Sequence, residues 1–218
     1  MDNITDVSTE PLGESHYVKP LRMHYKQNGV AKSWDLMKVH DAVAVLIHNT
    51  SRNVLVFVRQ FRPAVYLGSL ASSACTDPSQ VELGRPADAA GQPGSRGVTL
   101  ELCAGCVDKR KTLLEIAREE VLEECGYDVP LDRFERIKSF VCNEGTSGDL
   151  MTVFHVSVTD TDRTGPGGGN PEEGEVIEVV EMTIDQVRQY VSQDDVLSPP
   201  GFLFCIYWFF MHKLKQSL

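Results

Sequence analysis

The feature that most constrains the fold of this chain is a helix-like segment whose apolar side carries two glutamates. The segment TLLEIAREEVLEEC occupies residues 112–125 and lies between two glycines. At about 100° per residue, Glu120 and Glu124 fall within the same arc as the apolar Ile116 and Val121. The sequence therefore predicts an amphipathic helix that turns two like charges toward the protein core.

A solvated acidic face is the ordinary explanation of a glutamate-rich helix, and it accounts for Glu115 and Glu119, which fall on the polar side. It does not account for Glu120 and Glu124, because like charges at i and i+4 repel and buried unpaired carboxylates are costly. Glu123 lies on the border of the apolar arc. No lysine or arginine of the segment falls on this side, so the pattern predicts a site for divalent cations such as Mg²⁺.

Composition limits the classes of function open to the chain. With 218 residues, 42% of them hydrophobic, it is long enough to bury the core of one domain. The net charge of −10 argues against binding to nucleic acid or an anionic membrane, because both favour a basic surface. An acidic chain still binds a phosphate substrate where metal ions and a few arginines reverse the local field.

The N-terminus and the cysteines predict a cytoplasmic protein. The first 20 residues have neither a basic region nor an apolar run, so we expect no secretory leader and reduced thiols. Cys103 and Cys106 form a lone C-x-x-C, which without a second pair or a nearby histidine disfavours a zinc or redox role. The apolar run 201–211 is too short to span a bilayer, and its aromatic bulk on all sides favours packing on the core or a partner subunit over a membrane surface.

Local patterns divide the chain into four parts. Residues 1–16 are polar and predict a disordered arm, and 17–40 predict a hairpin that turns at an Asn-Gly dipeptide. Residues 41–215 contain strand patterns on both sides of the acidic helix and further helices at the end, interrupted at 67–98 by a flexible insertion. We therefore expect an α+β fold, an αβα sandwich around a mixed sheet.

The acidic helix resembles the signature of the Nudix hydrolases, G-x5-E-x7-R-E-U-x-E-E-x-G-U, in which U is a bulky apolar residue. The window of 23 residues that follows this spacing runs from Gly105 to Tyr127. Six positions match it in register: Gly105, Glu120, Val121, Glu123, Glu124 and Gly126.

Three positions of that window depart from the signature. Lys111 replaces its first glutamate, Glu119 replaces its arginine, and Tyr127 replaces its last aliphatic residue. Arg118 stands one residue before the expected arginine. If Glu119 weakens the support of the ligands, exchanging residues 118 and 119 should restore the pattern and raise activity or Mg²⁺ affinity, whereas a loss of activity would mean that Arg118 has a partner of its own. The departures at 111 and 119 put catalytic efficiency in question more than cation binding, since they concern residues that orient the ligands.

Further stretches extend the resemblance along most of the chain. VRQFRPAVY, LELCAG and EGEVIEVVEM are similar to segments of the ADP-ribose pyrophosphatase branch, and the hairpin and TGPGGGNPEEGE are closer to its UDP-glucose-hydrolysing members. The resemblance implies a Nudix fold and Mg²⁺-dependent cleavage of nucleotide sugars, mainly UDP-glucose to UMP and glucose 1-phosphate, with ADP-ribose as a secondary substrate. It also implies a homodimer formed through the hairpin.

The same resemblance assigns roles to individual residues. Glu120, Glu123 and Glu124 would hold the metal with the Ala104 carbonyl, and Glu120 and Glu124 count with Glu175 as the catalytic set. Glu175 would be a general base or a further metal ligand, and Arg62 would contact a phosphate. Glu101 would support the metal ligands, and Trp34 would stack on uracil.

Alternatives remain open at this point. Arg62 could be a surface arginine in a salt bridge, Glu175 a solvated strand-edge residue, and Trp34 a core or interface residue. The activity could be that of an ADP-ribose pyrophosphatase. A catalytically weak module that only binds nucleotide sugars is a further alternative, and Lys111 and Glu119 are its best support.

Overall fold

A mixed sheet of seven strands forms the centre of the structure, and a separate two-stranded sheet precedes it. The computed structural model describes residues 3–71 and 92–214. The strands are β1 (Lys19–Gln27), β2 (Val30–Lys38), β3 (Ala42–Asn49), β4 (Val54–Phe61), β5 (Val98–Glu101), β6 (Cys103–Cys106), β7 (Phe134–Val141), β8 (Leu150–Val158) and β9 (Ile177–Thr183). The helices are α1 (Pro63–Ala71), α2 (Leu113–Cys125), α3 (Ile184–Val191) and α4 (Pro200–His212).

The central sheet is mixed because β3 and β8 run parallel while the other pairs are antiparallel. Strands β3 and β4 pair over only three positions beside their turn. Beyond them β6 becomes the neighbour of β3, with Gly105 opposite Val43, while β5 and β9 pair with β4. The stretch VTLELCAG is therefore two strands that separate at Leu102 and join different neighbours.

Helices cover both faces of the sheet, as the sequence predicts. The alternation of side chains sends Val45 and Val56 toward α2 on one face. It sends Leu46 and Phe57 toward α3 and α4 on the other. The α+β class and the αβα sandwich are confirmed.

Local sequence sets both ends of α2. Thr112 precedes the helix, and its side chain and that of Glu115 form a capping box that binds the backbone N–H groups of the first turn. Gly126 ends the helix at φ 76°, a left-handed conformation that glycine adopts without strain. These caps fix which residues of the acidic segment lie in the helix and hence which glutamates share a face.

Helix α4 packs on the core rather than standing apart from it. Phe202, Ile206 and Phe209 are buried against the sheet, whereas Tyr207 and Met211 are exposed. Among the described residues, no helix combines the length and the apolar character needed to cross a membrane.

The N-terminal segments agree with the predicted hairpin. Gln27 pairs with Val30, so Asn28 and Gly29 form a two-residue turn, with φ values of 53° and 81°. Both φ values are positive, as the type I′ turn of a two-residue hairpin loop requires. The preceding residues 3–16 form neither a helix nor a strand, and their disorder stays a prediction.

The predicted insertion at 67–98 has different boundaries in the structure. Its first residues complete α1, which begins at Pro63 and buries Tyr66, so the boundary at 67 lies inside a helix. Residues 72–91 lie outside the described part of the chain, and 94–97 form a 3-10 turn before β5. Proline at the first helical position is a start signal that the compositional argument overlooked.

His155 makes the stability of this fold dependent on pH. It lies on β8, is 4% exposed, and its Nε2 has no hydrogen-bond partner in the described structure. Burial lowers its pKa from 6.5 to about 4. The unfolded chain therefore takes up this proton below pH 6.5, whereas the folded chain does so only near pH 4, and the stabilisation is lost across that interval as the pH falls.

We predict that His155→Phe removes this pH dependence. From pH 7.5 to 5.5 the unfolding free energy of the wild type should fall by about 1 kcal/mol relative to the variant, because only the wild type gains the proton on unfolding. Urea titrations of both proteins at each pH measure the difference. Curves that stay parallel over this range would contradict the assignment.

Candidate active site

The site is built where α2 lies against β6. Glu124 is only 3% exposed, and its Oε2 accepts a hydrogen bond from the backbone N–H of Ala104 at 3.0 Å. A Cβ on Gly105 would clash with the carboxylate of Glu120. Glycine at 105 therefore lets the helix bring two glutamate side chains onto the edge strand.

The carboxylates of this contact have raised pKa values. Burial is the main cause for both, and it raises the pKa of Glu120 to about 7 and that of Glu124 to about 8. The charge of Glu175 raises both further, and that of Glu123 raises the pKa of Glu120, so these side chains lie close enough to repel. The prediction that the two helix glutamates fall on the buried side is confirmed.

This donor set suits a hard divalent cation, since its carboxylate oxygens are held together without compensating lysines or arginines on α2. Within residues 3–71 and 92–214, no three His, Cys, Asp or Glu side chains are already arranged as a complete metal site.

Arg62 is held beside these glutamates by Glu101. Its Nε and Nη2 donate to the two Glu101 carboxylate oxygens at 2.7 and 2.5 Å, and Thr99 donates to the same carboxylate at 2.5 Å. Glu101 is 5% exposed, whereas the Arg62 side chain is 44% exposed. Arg62 thus forms a fixed ion pair at the site, and its Nη1 bonds to no described residue.

A cavity of about 560 Å³ opens beside this ion pair. Arg62, Glu101, Ala104 and Gly105 form one wall, and the segment 196–199 forms another. A second cavity of about 520 Å³ shares Met151 and Pro199 with the first and includes the polar residues Lys138, Asn143 and Glu144. The two cavities are therefore neighbours.

Sequence reasoning missed the wall formed by 196–199. Ser198 donates to the carbonyl of Leu100 at 2.6 Å, and the Leu100 N–H donates to the carbonyl of Leu197 at 2.9 Å. These bonds attach the segment to β5. A serine before two prolines predicts only a turn, so no signal could have placed it at the site.

The glycine-rich loop after β8 delivers Glu175 to the same region. The N–H groups of Gly168 and Gly169 donate to the carbonyls of Glu124 and Glu123 at 2.9 and 3.2 Å, which caps the end of α2. The Glu175 carboxylate accepts from the backbone N–H of Asn170 at 3.0 Å. The described residues of this loop line neither cavity.

Trp34 lies away from the glutamates. Its Nε1–H donates to the carbonyl of Gly145 at 3.0 Å, and it is 54% exposed. It lines neither cavity and joins the N-terminal hairpin to the loop between β7 and β8. Trp34 is therefore not a core residue, and its stacking on uracil stays a prediction.

The charged residues at the departures from the signature, and Arg118 beside them, have definite partners. Lys111 forms an ion pair with Glu119, so two of the departures contact each other. Arg118 donates to Asp128 at 2.6 Å and to the carbonyl of Val129 at 3.0 Å. Arg118 thus has partners of its own, which is the case in which the exchange would lower activity, and the effect of the exchange itself stays a prediction.

Cys103 and Cys106 do not form a pair. Cys103 is fully buried beneath α2 and Cys106 is exposed, because residues three apart on a strand point to opposite faces. Because the two thiols point to opposite faces of the strand, they cannot share a zinc ion or form a disulfide with each other, which excludes a zinc or redox role for this C-x-x-C.

Comparison with known proteins agrees with this geometry. No family model matches the chain. It is 44% identical to a uridine diphosphate glucose pyrophosphatase of Bos taurus over 96% of both chains, and 40% identical to that of Mus musculus over the same shares. A GDP-mannose pyrophosphatase of Cronobacter sakazakii is 30% identical over 71% of this chain and 68% of its own. With the signature glutamates gathered at the α2 and β6 contact, the chain belongs to the Nudix hydrolase family.

Proposed function

We propose that this chain hydrolyses the diphosphate bond of nucleotide sugars, with UDP-glucose as the main substrate and UMP and glucose 1-phosphate as products. The observation that carries the proposal is the position of the signature glutamates beside the Arg62–Glu101 ion pair, which lines a cavity of about 560 Å³. Relatives named for UDP-glucose and GDP-mannose pyrophosphatase activity support this substrate class. ADP-ribose is proposed as a secondary substrate.

Glu120, Glu123 and Glu124 would hold Mg²⁺, with the Ala104 carbonyl as a further ligand. When bound, the cation neutralises the diphosphate, favours attack by water and stabilises the departing phosphate. The raised pKa values of Glu120 and Glu124 mean that both side chains must give up protons to bind it.

Arg62 is the proposed contact for a substrate phosphate. Glu101 holds two of its nitrogens, so the guanidinium keeps one orientation at the cavity wall, and Nη1 faces no other described partner. A guanidinium held in this way meets a phosphate oxygen without losing further freedom of its side chain. Glu101 thus positions Arg62, and its support of the metal ligands stays a prediction.

Glu175 is proposed as the general base. It is exposed to solvent, so water can reach it, and its charge is felt at Glu120 and Glu124. The glycine-rich loop, which caps the end of α2, fixes the backbone that carries Glu175. A carboxylate in this position can take a proton from the attacking water or complete the set of ligands.

Glu124→Gln should lower the turnover number at saturating Mg²⁺ by at least about a hundredfold, because it removes one charge from the proposed ligand set while preserving the shape. Glu115→Gln is the matched control on the same helix, since glutamine also completes a capping box. Circular dichroism should show both variants folded. Near-normal turnover in Glu124→Gln would contradict the proposal that α2 holds the cation.

Substrate choice separates the three candidate functions. A site built for one base leaves polar groups unpaired when it holds another, which can cost a few kcal/mol in the transition state. We therefore expect a higher kcat/KM for UDP-glucose than for ADP-ribose at equal Mg²⁺, with products identified by mass spectrometry. The reverse order would favour an ADP-ribose pyrophosphatase, and hydrolysis of neither would favour a binding module.

A homodimer formed through the N-terminal hairpin is the second part of the proposal. The cross-strand pairs Met23–Trp34 and Leu21–Leu36 share one face of the hairpin, where Leu21, Met23 and Trp34 are 43%, 49% and 54% exposed. The opposite face carries the polar pairs, including the Arg22–Asp35 ion pair. An amphipathic hairpin whose apolar side remains exposed supports pairing with a second copy, since an isolated two-stranded sheet is only marginally stable.

Met23→Lys should convert the dimer to a monomer, because it places a charge from each protomer in an apolar contact. Ser33→Lys, on the polar face of the same hairpin, is the matched control and should remain dimeric. Analytical ultracentrifugation at micromolar concentrations distinguishes the two. A wild-type monomer, or a Met23→Lys dimer, would contradict the proposed interface.

We also propose a cytosolic location. The five cysteines in the described residues are all free thiols, and Cys106 is exposed, which suits a reducing compartment. A UDP-sugar hydrolase there would meet its substrates directly. Fractionation of cells that express the full chain tests this location.

A further inference from the structure

The two charged positions at which this chain departs from the signature contact each other. The signature has an acid at the position of Lys111 and a base at the position of Glu119, and here the charges are exchanged. Lys111 Nζ is ion-paired with the Glu119 carboxylate, and the side chains are 44% and 35% exposed. The ion pair therefore has the charges of the signature in reverse, with the positive charge at 111 and the negative charge at 119.

The pair connects two parts of the site. Lys111 ends the loop between β6 and α2, directly before Thr112, the N-cap of the helix. Glu119 is the neighbour of Glu120 on α2. The loop also carries Asp108 and Lys109, whose charges act on the Glu120 carboxylate. The distance between the loop and α2 therefore sets the electric field at Glu120, a proposed ligand of the cation.

Other contacts show that this role is not taken by Arg118. Arg118 is bound to Asp128 and to the carbonyl of Val129, beyond the C-terminal end of α2. It cannot serve at the same time as the partner of the loop before the helix. Lys111 and Glu119 are thus a charged pair that joins this loop to α2 in the described structure.

We infer that Lys111 and Glu119 form a charge-inverted positioning pair that holds the β6–α2 loop against α2 and so orients Glu120 and Glu123 toward the cation. The inference rests on the proposed function, since it concerns the same cation site. Exposed ion pairs contribute little to stability, so the effect lies in ligand geometry rather than in folding. Exchanging both charges leaves the net charge beside Glu120 and Glu123 unchanged, and the departures are thus compensated rather than defective.

Calorimetric titration of the full chain with Mn²⁺, without substrate, tests this inference. Lys111→Glu and Glu119→Arg each set like charges against each other and should weaken Mn²⁺ binding about tenfold. The double variant restores the signature charges and should bind within about threefold of the wild type. Lys111→Arg keeps the ion pair and serves as the conservative control, with binding unchanged.

Thermal unfolding of the same variants shows whether the single changes act through folding, and we expect their unfolding temperatures to match the wild type. A double variant as weak as either single one, or single variants that bind like the wild type, would overturn the inference, as would a wild type that binds no Mn²⁺. A chain that binds Mn²⁺ with this pattern but hydrolyses no nucleotide sugar would overturn the proposed function alone.

Discussion

The contact between α2 and β6 is the interaction on which the site depends. The hydrogen bond from the Ala104 N–H to Glu124 and the close approach of Gly105 to Glu120 bring a helix face directly onto a strand backbone. A larger residue at 105 would displace the Glu120 carboxylate, and the carboxylates would lose their shared position. The left-handed Gly126 and the glycine loop that caps α2 fix the other end of the same helix.

This contact concentrates carboxylates where burial disfavours their charge. Because the pKa values of Glu120 and Glu124 are raised, the folded chain without a bound cation retains protons on these carboxylates near neutral pH. Cation binding and proton release are consequently linked, and the free energy of binding must offset the cost of ionising the pair. The Arg62–Glu101 ion pair lies beside this region, and Arg62 lines the neighbouring cavity.

Much of the fold could be predicted because it depends on short-range rules. The Asn28-Gly29 turn follows from backbone conformations that few residues adopt, and the limits of α2 follow from Thr112 and Gly126. The buried side of the helix followed from periodicity, which exposed the anomaly of Glu120 and Glu124. Each of these features is decided within a few residues of the chain.

The features that escaped prediction depend on contacts between distant parts of the chain. The break at Leu102 arises because β5 and β6 find different neighbours in the sheet, which no local pattern specifies. The wall that includes Ser198 is held by a strand almost a hundred residues earlier, at Leu100. The pairing of Lys111 with Glu119, eight residues apart, was hidden because each was compared with the signature separately.

The most direct test of the central claim is the location of the cation. Crystals of the wild-type chain grown with Mn²⁺, measured at the manganese absorption edge, would show any bound ion by its anomalous scattering. The account predicts a peak bonded to the carboxylates of Glu120 and Glu124, beside the Ala104 carbonyl. An ordered ion held elsewhere, with these two side chains making no contact to it, would contradict the account.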